Sequence, residues 1–282
     1  MIYLVITAAA GVSDDVVTLA AEQLAGAEAP RRLSELAVEI GFRGAQPEIA
    51  PVAGVDFNFV PSGNRQKKLL IADMDSTIIP VECIDELADF AGVKDQVSEI
   101  TERAMLGELD FEAAIDARVL LLAGLGEQAL QQCYDERISL NPGARVLVQT
   151  MNALGAMTAL VSGGFTYFTG KVAAEAGFQM NRANILEIEN AALTGTVRRP
   201  ILGREAKLES LNALCAERGI SAKDVIAVGD GANDLMMVQA AGMGIAYRAK
   251  PALKAAADMV LDHSDLTALL ALQGIAEADY MS

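Results

Sequence analysis

The chain is predicted to fold as a doubly wound, Rossmann-like α/β protein, with a parallel-sheet core, an inserted helical cap and a small α+β domain at its N-terminus. Three observations carry this expectation. From Ala144 onward, short apolar runs alternate with helical periods, the pattern of βα units that feed a parallel sheet. The segment from Leu69 to Asp75 reads LLIADMD, a continuous apolar run ending in acids, as a central strand does when it is buried on both faces and delivers polar groups at its carboxyl end. Residues 82–137 show helical periods without a convincing strand. That block is too long for a simple crossover, so it reads as an insertion over the strand ends.

Taken in order, residues 1–66 form the separate α+β unit. A strand pattern at Ile2–Thr7 precedes helical stretches expected near 13–25 and 31–40, and Pro47, Pro51 and Gly54 lead into the alternating strand VDFNFV at 55–60. The polar, breaker-rich stretch from Pro61 to Lys68 reads as a linker. The core comprises 67–80 and 138–282, and the cap 81–137. Within the second core stretch the expected order is a helix over 144–154, the strand MTALVSGG, a helix over 166–176, and a hairpin with its turn near Asn190. A helix over 205–218, the strand VIAVGD, a helix from 233, the strand GIAY, a helix over 251–257, the strand MVLD and a last helix from Asp265 complete it.

Composition narrows the function. With 52% hydrophobic and 21% charged residues, the 282-residue chain is globular. Aromatics are only 5% and Trp is absent, so the core must be aliphatic. A formal net charge of −16 repels phosphate backbones and anionic bilayers, which argues against nucleic-acid and membrane partners. An anionic small-molecule substrate would then need a local cation and a few placed Lys or Arg side chains. Cys83, Cys133 and Cys215 lack any CxxC spacing and read as reduced thiols. The apolar N-terminus meets Asp14 and Asp15 early and reads as a buried strand, not a leader. A cytoplasmic protein is expected. A homodimer is allowed by the sequence and not specified by it.

Ligands of open parallel sheets bind beyond the carboxyl ends of the strands. Three strand ends carry unusual polar groups: Asp73-Met74-Asp75-Ser76-Thr77, Ser162-Gly163-Gly164, and Gly229-Asp230-Gly231-Ala232-Asn233-Asp234. Asp73 and Asp75 are two apart, on one side of an extended chain. One carboxylate of such a pair can attack phosphorus, and the other can protonate the leaving alkoxide and later deprotonate water. Asp230 and Asp234 add negative charge that calls for a hard, oxygen-seeking cation, with Mg²⁺ the natural occupant. The single histidine, His263, excludes a His-rich zinc site. Ser162 and the glycine amides after it suit phosphate oxygens, and Lys207 would place a positive charge near Asp73.

The motifs DMDST, VSGGF, Lys207 and GDGANDLMM resemble, in order, the four motifs of the haloacid-dehalogenase-like (HAD) phosphatases, over roughly Lys68 to His263. Within that superfamily, IIPVECIDELADFAG and ITERAMLGELDFEAAIDARVLLLAGL are similar to the cap of the phosphoserine phosphatases. The resemblance implies hydrolysis of O-phosphoserine, the last step of serine biosynthesis, with Asp73 as nucleophile and Asp75 as general acid/base. It places Mg²⁺ on Asp73, the backbone carbonyl of Asp75, and Asp230, with Asp234 supporting that shell. Glu82 would meet the substrate ammonium and Arg118 its carboxylate, while Met105 and Phe111 shape the pocket. Ser162, Gly163, Lys207 and Asn233 would hold the phosphate. Relatives often carry ACT-type regulatory domains, and residues 1–66 read as a shortened ACT-like unit.

Two other readings share these parts. A HAD phosphatase or phosphotransferase acting on another small phosphomonoester has the same core motifs, but Glu82 and Arg118 favour an amino acid over a neutral sugar. A phospho-accepting signalling module also uses an acidic Mg²⁺ cluster and a Lys. It lacks the helical insert and the second Asp of Asp73-x-Asp75.

Overall fold

The computed structural model describes residues 1–106 and 108–281, without the side chain of Met105. The expected pocket role of Met105 therefore lies outside the described residues.

The N-terminal unit is a four-stranded antiparallel sheet, β1 (Ile2–Thr7), β2 (Arg31–Ser34), β3 (Ala37–Phe42) and β4 (Asp56–Pro61), in the order β2-β3-β1-β4. One helix, α1 (Asp14–Glu22), is capped by the Ser13 hydroxyl. Because β3 is antiparallel to both β1 and β2, β1 and β2 run parallel with β3 between them, a split β-α-β arrangement.

The helix expected over 31–40 is instead the hairpin β2–β3. Leu33, Leu36, Ala37 and Ile40 satisfy a helical period, yet Val38, Ile40 and Phe42 also satisfy a strand period on one face. The ladder to β1, from Ile2↔Phe42 to Thr7↔Ala37, decides between them. Val38, Ile40 and Phe42 lie buried in one cluster with Leu4 and Ile6. Glu39, on the opposite face, is buried as well and is held by Arg31 at 2.7 Å and Arg65 at 2.9 Å. Tertiary pairing overrides local preference here.

This unit docks on the far edge of the core through backbone-like contacts. The Asp56 carboxylate accepts from the amides of Asp262, His263 and Ser264 and from the Ser264 hydroxyl. The Asn58 side chain exchanges two hydrogen bonds with the Val260 backbone, and Arg65 donates to the carbonyls of Leu272 and Ala271. These contacts cover a strand edge that would otherwise be open.

The core begins at β5 (Leu69–Ala72), whose four residues are fully buried. After it come the cap helices α2 (Cys83–Phe90), α3 (Lys94–Met105), α4 (Phe111–Leu120) and α5 (Gln128–Arg137). The chain returns through α6 (Ala144–Ala153), β6 (Met157–Phe165), α7 (Thr166–Ala176) and β7 (Met180–Asn184). A hairpin, β8 (Leu186–Glu189) and β9 (Ala192–Val197), follows. Then come α8 (Arg204–Arg218), β10 (Val225–Gly229), α9 (Leu235–Ala240), β11 (Met243–Tyr247), α10 (Pro251–Lys254), β12 (Met259–Leu261) and α11 (Ala268–Leu272).

The parallel sheet has the order β12-β11-β10-β5-β6-β7. From β5 the chain builds outward through β6 and β7, then crosses back to build the other half from β10. The reversal falls between β5 and β10, the switch point where such sheets bind ligands. The pairs Ala72↔Val228 and Ala72↔Leu160 set the three strand ends level, so the three acid- and glycine-bearing loops open at one height.

The hairpin β8–β9 turns at Asn190 and Ala191, both at positive φ, the primed geometry of tight hairpins. It packs on the cap. Leu193 exchanges backbone hydrogen bonds with Leu125 and Gly124 at 2.8 Å, and Arg199 pairs with Glu112 and Asp116 of α4. The roof over the strand ends is therefore four helices and a β-flap.

Candidate active site

Asp73 follows β5 directly, and its backbone N–H donates to Val228 O at 3.0 Å, which locks it against β10. Its Oδ1 accepts from the Met74 amide at 2.8 Å and from Lys207 Nζ at 2.8 Å. Oδ2 has no partner among the described residues, and Asp73 lines a cavity at the strand ends. One oxygen is thus anchored and the other is unpartnered. Burial, with the Asp234 charge, pushes the Asp73 carboxyl up to about 7, against the pull of Lys207.

Asp75 stands in a tight bend in which Ser76 takes φ +55°, a conformation a side chain rarely adopts. That bend turns the Ser76 hydroxyl onto Glu82 Oε1 at 2.7 Å. Asp75 Oδ1 accepts from the Cys83 amide at 2.8 Å and Oδ2 from the Ser162 hydroxyl at 3.2 Å. Burial raises the Asp75 carboxyl, and those two hydrogen bonds oppose the rise. A carboxyl that holds its proton more tightly than usual suits a group that is to give a proton and take one back.

At the end of β6, Ser162 Oγ accepts from the Gly164 amide at 2.8 Å while donating to Asp75. Of the glycine amides expected to cradle an anion, that of Gly164 is spent on Ser162. Gly163 is held in turn by Asn184, whose side-chain amide donates to its carbonyl at 2.8 Å. An added Cβ at Gly163 would stand 2.7 Å from Phe111 Cζ, and one at Gly164 would stand 2.7 Å from Asp75 Oδ2.

Lys207 is fully buried on α8 and bridges Asp73 and Asp234, at 2.8 and 2.5 Å. Burial alone would lower its pKa, but the two carboxylates outweigh it and hold the ammonium above its ordinary value. Asp234 spends its other oxygen on the amides of Asp230 and Gly231, both at 3.2 Å. It fixes the loop after β10 and points Asp230 into the cavity. Burial first, then the charges of Glu82, Asp234 and Asp73, push the Asp230 carboxyl well up.

One oxygen each of Asp73, Asp230 and Asp234 lies within 4.8 Å of the others. Asp234 already accepts from Lys207 and two amides, whereas no hydrogen bond among the described residues engages the Asp230 carboxylate, which leaves Asp230 the member most open to a cation. A buried carboxylate cluster in which burial and neighbouring acids push Asp73 and Asp230 up fits a hard divalent ion, whose charge would relieve the repulsion.

The cavity is a small, partly enclosed space under the cap. It is lined by Asp73, Asp75, Glu82, Ser162, Gly163, Asp230 and Asn233 from below and by Phe111 and Arg118 from the cap. Glu82, at the start of α2, is half-buried, whereas Arg118 is buried. Burial, with Asp75 and Asp73 nearby, pushes Glu82 up to about 8, against the Ser76 hydrogen bond. Burial lowers the Arg118 guanidinium somewhat, offset by Glu82 and Asp85. The cavity thus gathers every predicted site residue except Lys207 and Asp234, which act from just behind its wall, and Met105, whose side chain is not among those described.

Sequence reasoning missed Thr101 and Asn184, and it placed the β8–β9 hairpin without foreseeing that it packs on the cap. Thr101 lines the cavity and is buried at 3% exposure, and Asn184 is buried at 3%. A small polar residue one turn before Met105, in a helix that faces the pocket, was the signal available for Thr101.

Residues 70–239 match the haloacid dehalogenase-like hydrolase family. A phosphoserine phosphatase of Archaeoglobus fulgidus is 46% identical over 206 residues, covering 73% of this chain and 60% of that protein. The chain thus spans under two thirds of that relative's length. A phosphoserine phosphatase solved as an analogue of its phospho-aspartyl intermediate superposes with a TM-score of 0.70 at 39% identity, covering 73% of this chain and 98% of that one. A HAD family hydrolase of Salmonella enterica serovar Typhi superposes with a TM-score of 0.81 at 28% identity, covering 96% of this chain and 98% of that one. The last similarity takes in the N-terminal unit as well as the core.

Proposed function

Because the chain belongs to the haloacid dehalogenase-like hydrolase family, we propose that it hydrolyses O-phosphoserine to serine and phosphate through an aspartyl-phosphate on Asp73. The observation that carries the substrate is an acid and a guanidinium lining one cavity, Glu82 at the start of α2 and Arg118 on α4. A free phosphoamino acid offers one ammonium and one carboxylate beside its phosphate, and a carboxylate with a guanidinium is the smallest set that reads both. Relatives named as phosphoserine phosphatases support the same reading.

In the first step Asp73 Oδ2 attacks phosphorus, the P–O bond to serine breaks, and the proton of Asp75 passes to the departing serine oxygen. In the second, Asp75 takes a proton from water as the water oxygen attacks phosphorus, which frees phosphate and restores Asp73. Lys207 neutralises charge beside the reacting oxygen, and Ser162, the Gly163 amide and Asn233 orient the phosphoryl oxygens. Mg²⁺, held by Asp73, the Asp75 carbonyl and Asp230, would neutralise phosphoryl charge when bound. Asp234 keeps Lys207 and the Asp230 loop in place, and Phe111 closes the cavity over Gly163.

Phosphate release from a panel of phosphomonoesters with Mg²⁺ tests this reading. A strong preference for O-phosphoserine, lost on chelation and in Asp73→Asn, is the expected result. Faster turnover of sugar phosphates would keep the aspartyl-phosphate chemistry and overturn the roles of Glu82 and Arg118.

A further inference from the structure

Arg118 is not free to choose its own orientation. Its Nε donates to Ala114 O at 3.1 Å, one turn back along α4, and its Nη1 donates to the Thr101 hydroxyl at 3.0 Å. Thr101 in turn donates that hydroxyl's single proton. Two acceptors lie in reach, Asp85 Oδ1 at 2.6 Å and Val97 O at 3.0 Å. The charged and shorter acceptor wins, which turns the Thr101 lone pairs toward Arg118. Asp85 lies on α2, Thr101 on α3 and Arg118 on α4, so one chain of hydrogen bonds pins three cap helices at the cavity wall. The other N–H groups of Arg118 have no partner among the described residues and lie at the cavity it lines.

We propose that Asp85 and Thr101 form a positioning relay that aims the Arg118 guanidinium at the carboxylate of the substrate, and so set the enzyme's selectivity for phosphoamino acids over phosphomonoesters without a carboxylate. The inference rests on the substrate reading above and deepens it. Neither residue needs to touch the substrate. A long side chain that loses a fixed partner recovers rotamer freedom, and the cost of ordering it again falls on each binding event. That cost applies only to a substrate that uses Arg118. It leaves the phosphate end of the site, built on Asp73, Ser162 and Lys207, untouched.

The test compares O-phosphoserine with phosphoethanolamine, which keeps the phosphate and the ammonium and lacks the carboxylate. In Thr101→Val, KM for O-phosphoserine is expected to rise about tenfold with kcat nearly unchanged, while kcat/KM for phosphoethanolamine stays within about twofold. Thr101→Ser, which keeps the hydroxyl, restores the wild-type ratio. If Val at this position prevents folding, Thr101→Ala removes the same hydroxyl without added bulk and is expected to give the same selective loss. Equal loss on both substrates, or no loss on either, overturns the relay while leaving the substrate reading intact. A wild-type enzyme indifferent to the carboxylate overturns the substrate reading itself, and the relay with it.

Discussion

Lys207 Nζ stands 2.8 Å from Asp73 Oδ1 and 2.5 Å from Asp234 Oδ1, with all three side chains buried. One ammonium therefore serves both the Asp73 carboxylate and the residue that shapes the neighbouring loop. Replacing it by Met would leave two buried carboxylates without their cation. A broken buried pair costs about 3–5 kcal/mol, so urea denaturation of Lys207→Met in the absence of metal should show a loss of that order, together with lost activity. An unchanged midpoint would mean that the pair carries no net stability.

Asp75 is expected to act in both halves of the reaction. Asp75→Asn should lower kcat by about 10²–10⁴-fold, the usual contribution of a positioned proton donor. Because an Asn at this position could still accept from the Cys83 amide, thermal stability should change little. A rapid-quench measurement of both half-reactions checks this, and full activity in the variant would reassign the proton donor.

Proton uptake on folding gives the metal-free protein a pH-dependent stability. Glu82 is pushed from 4.5 to about 8 and Asp73 from 3.8 to about 7, so the folded state binds these protons more tightly than the unfolded chain. The stabilisation is fully present below about pH 4, and it is lost as pH rises through 7 and 8. Melting temperature measured in chelator should fall across that window, and Glu82→Gln should flatten the upper part. Added Mg²⁺ should release protons near pH 6.5, visible with an indicator dye in weak buffer. A melting temperature that climbs between pH 5 and 8 in chelator would contradict the account.

Gly163 has no room for a side chain. A Cβ there would meet Phe111 Cζ at 2.7 Å, so Gly163→Ala must displace the cap aromatic at a cost of about 1–3 kcal/mol. The double variant with Phe111→Ala should recover much of the loss, and a double-mutant cycle on KM measures the coupling. Additive effects would place the fault in the Gly163 backbone, not in the contact.

How much of this was legible depended on whether the signal was local. LLIADMD declared β5 and its acids because a strand buried on both faces has no polar alternation, and any acid ending it must have a use. Lys207 was legible by its place in the motif order alone; its double role between Asp73 and Asp234 exists only once α8 lies behind β5 and β10. The stretch 31–40 misled because Leu33, Leu36, Ala37 and Ile40 fit a helix as well as Val38, Ile40 and Phe42 fit a strand, and the deciding partner, β1, lies some thirty residues earlier. Thr101 and Asp85 went unseen for a related reason. Each is an ordinary helical residue until three cap helices meet, and only then does the hydrogen-bond chain from Arg118 through Thr101 to Asp85 exist. Asn184 likewise acquires its task from the end of β6 beside it.

The most direct test of the central claim is capture of the acyl phosphate. Enzyme quenched in acid during turnover of O-phosphoserine and then treated with borohydride should carry homoserine in place of Asp73, read by peptide mass spectrometry across residues 69–79. Conversion at Asp73 that requires substrate is the result predicted. Conversion at another carboxylate, or none while turnover proceeds, would contradict it.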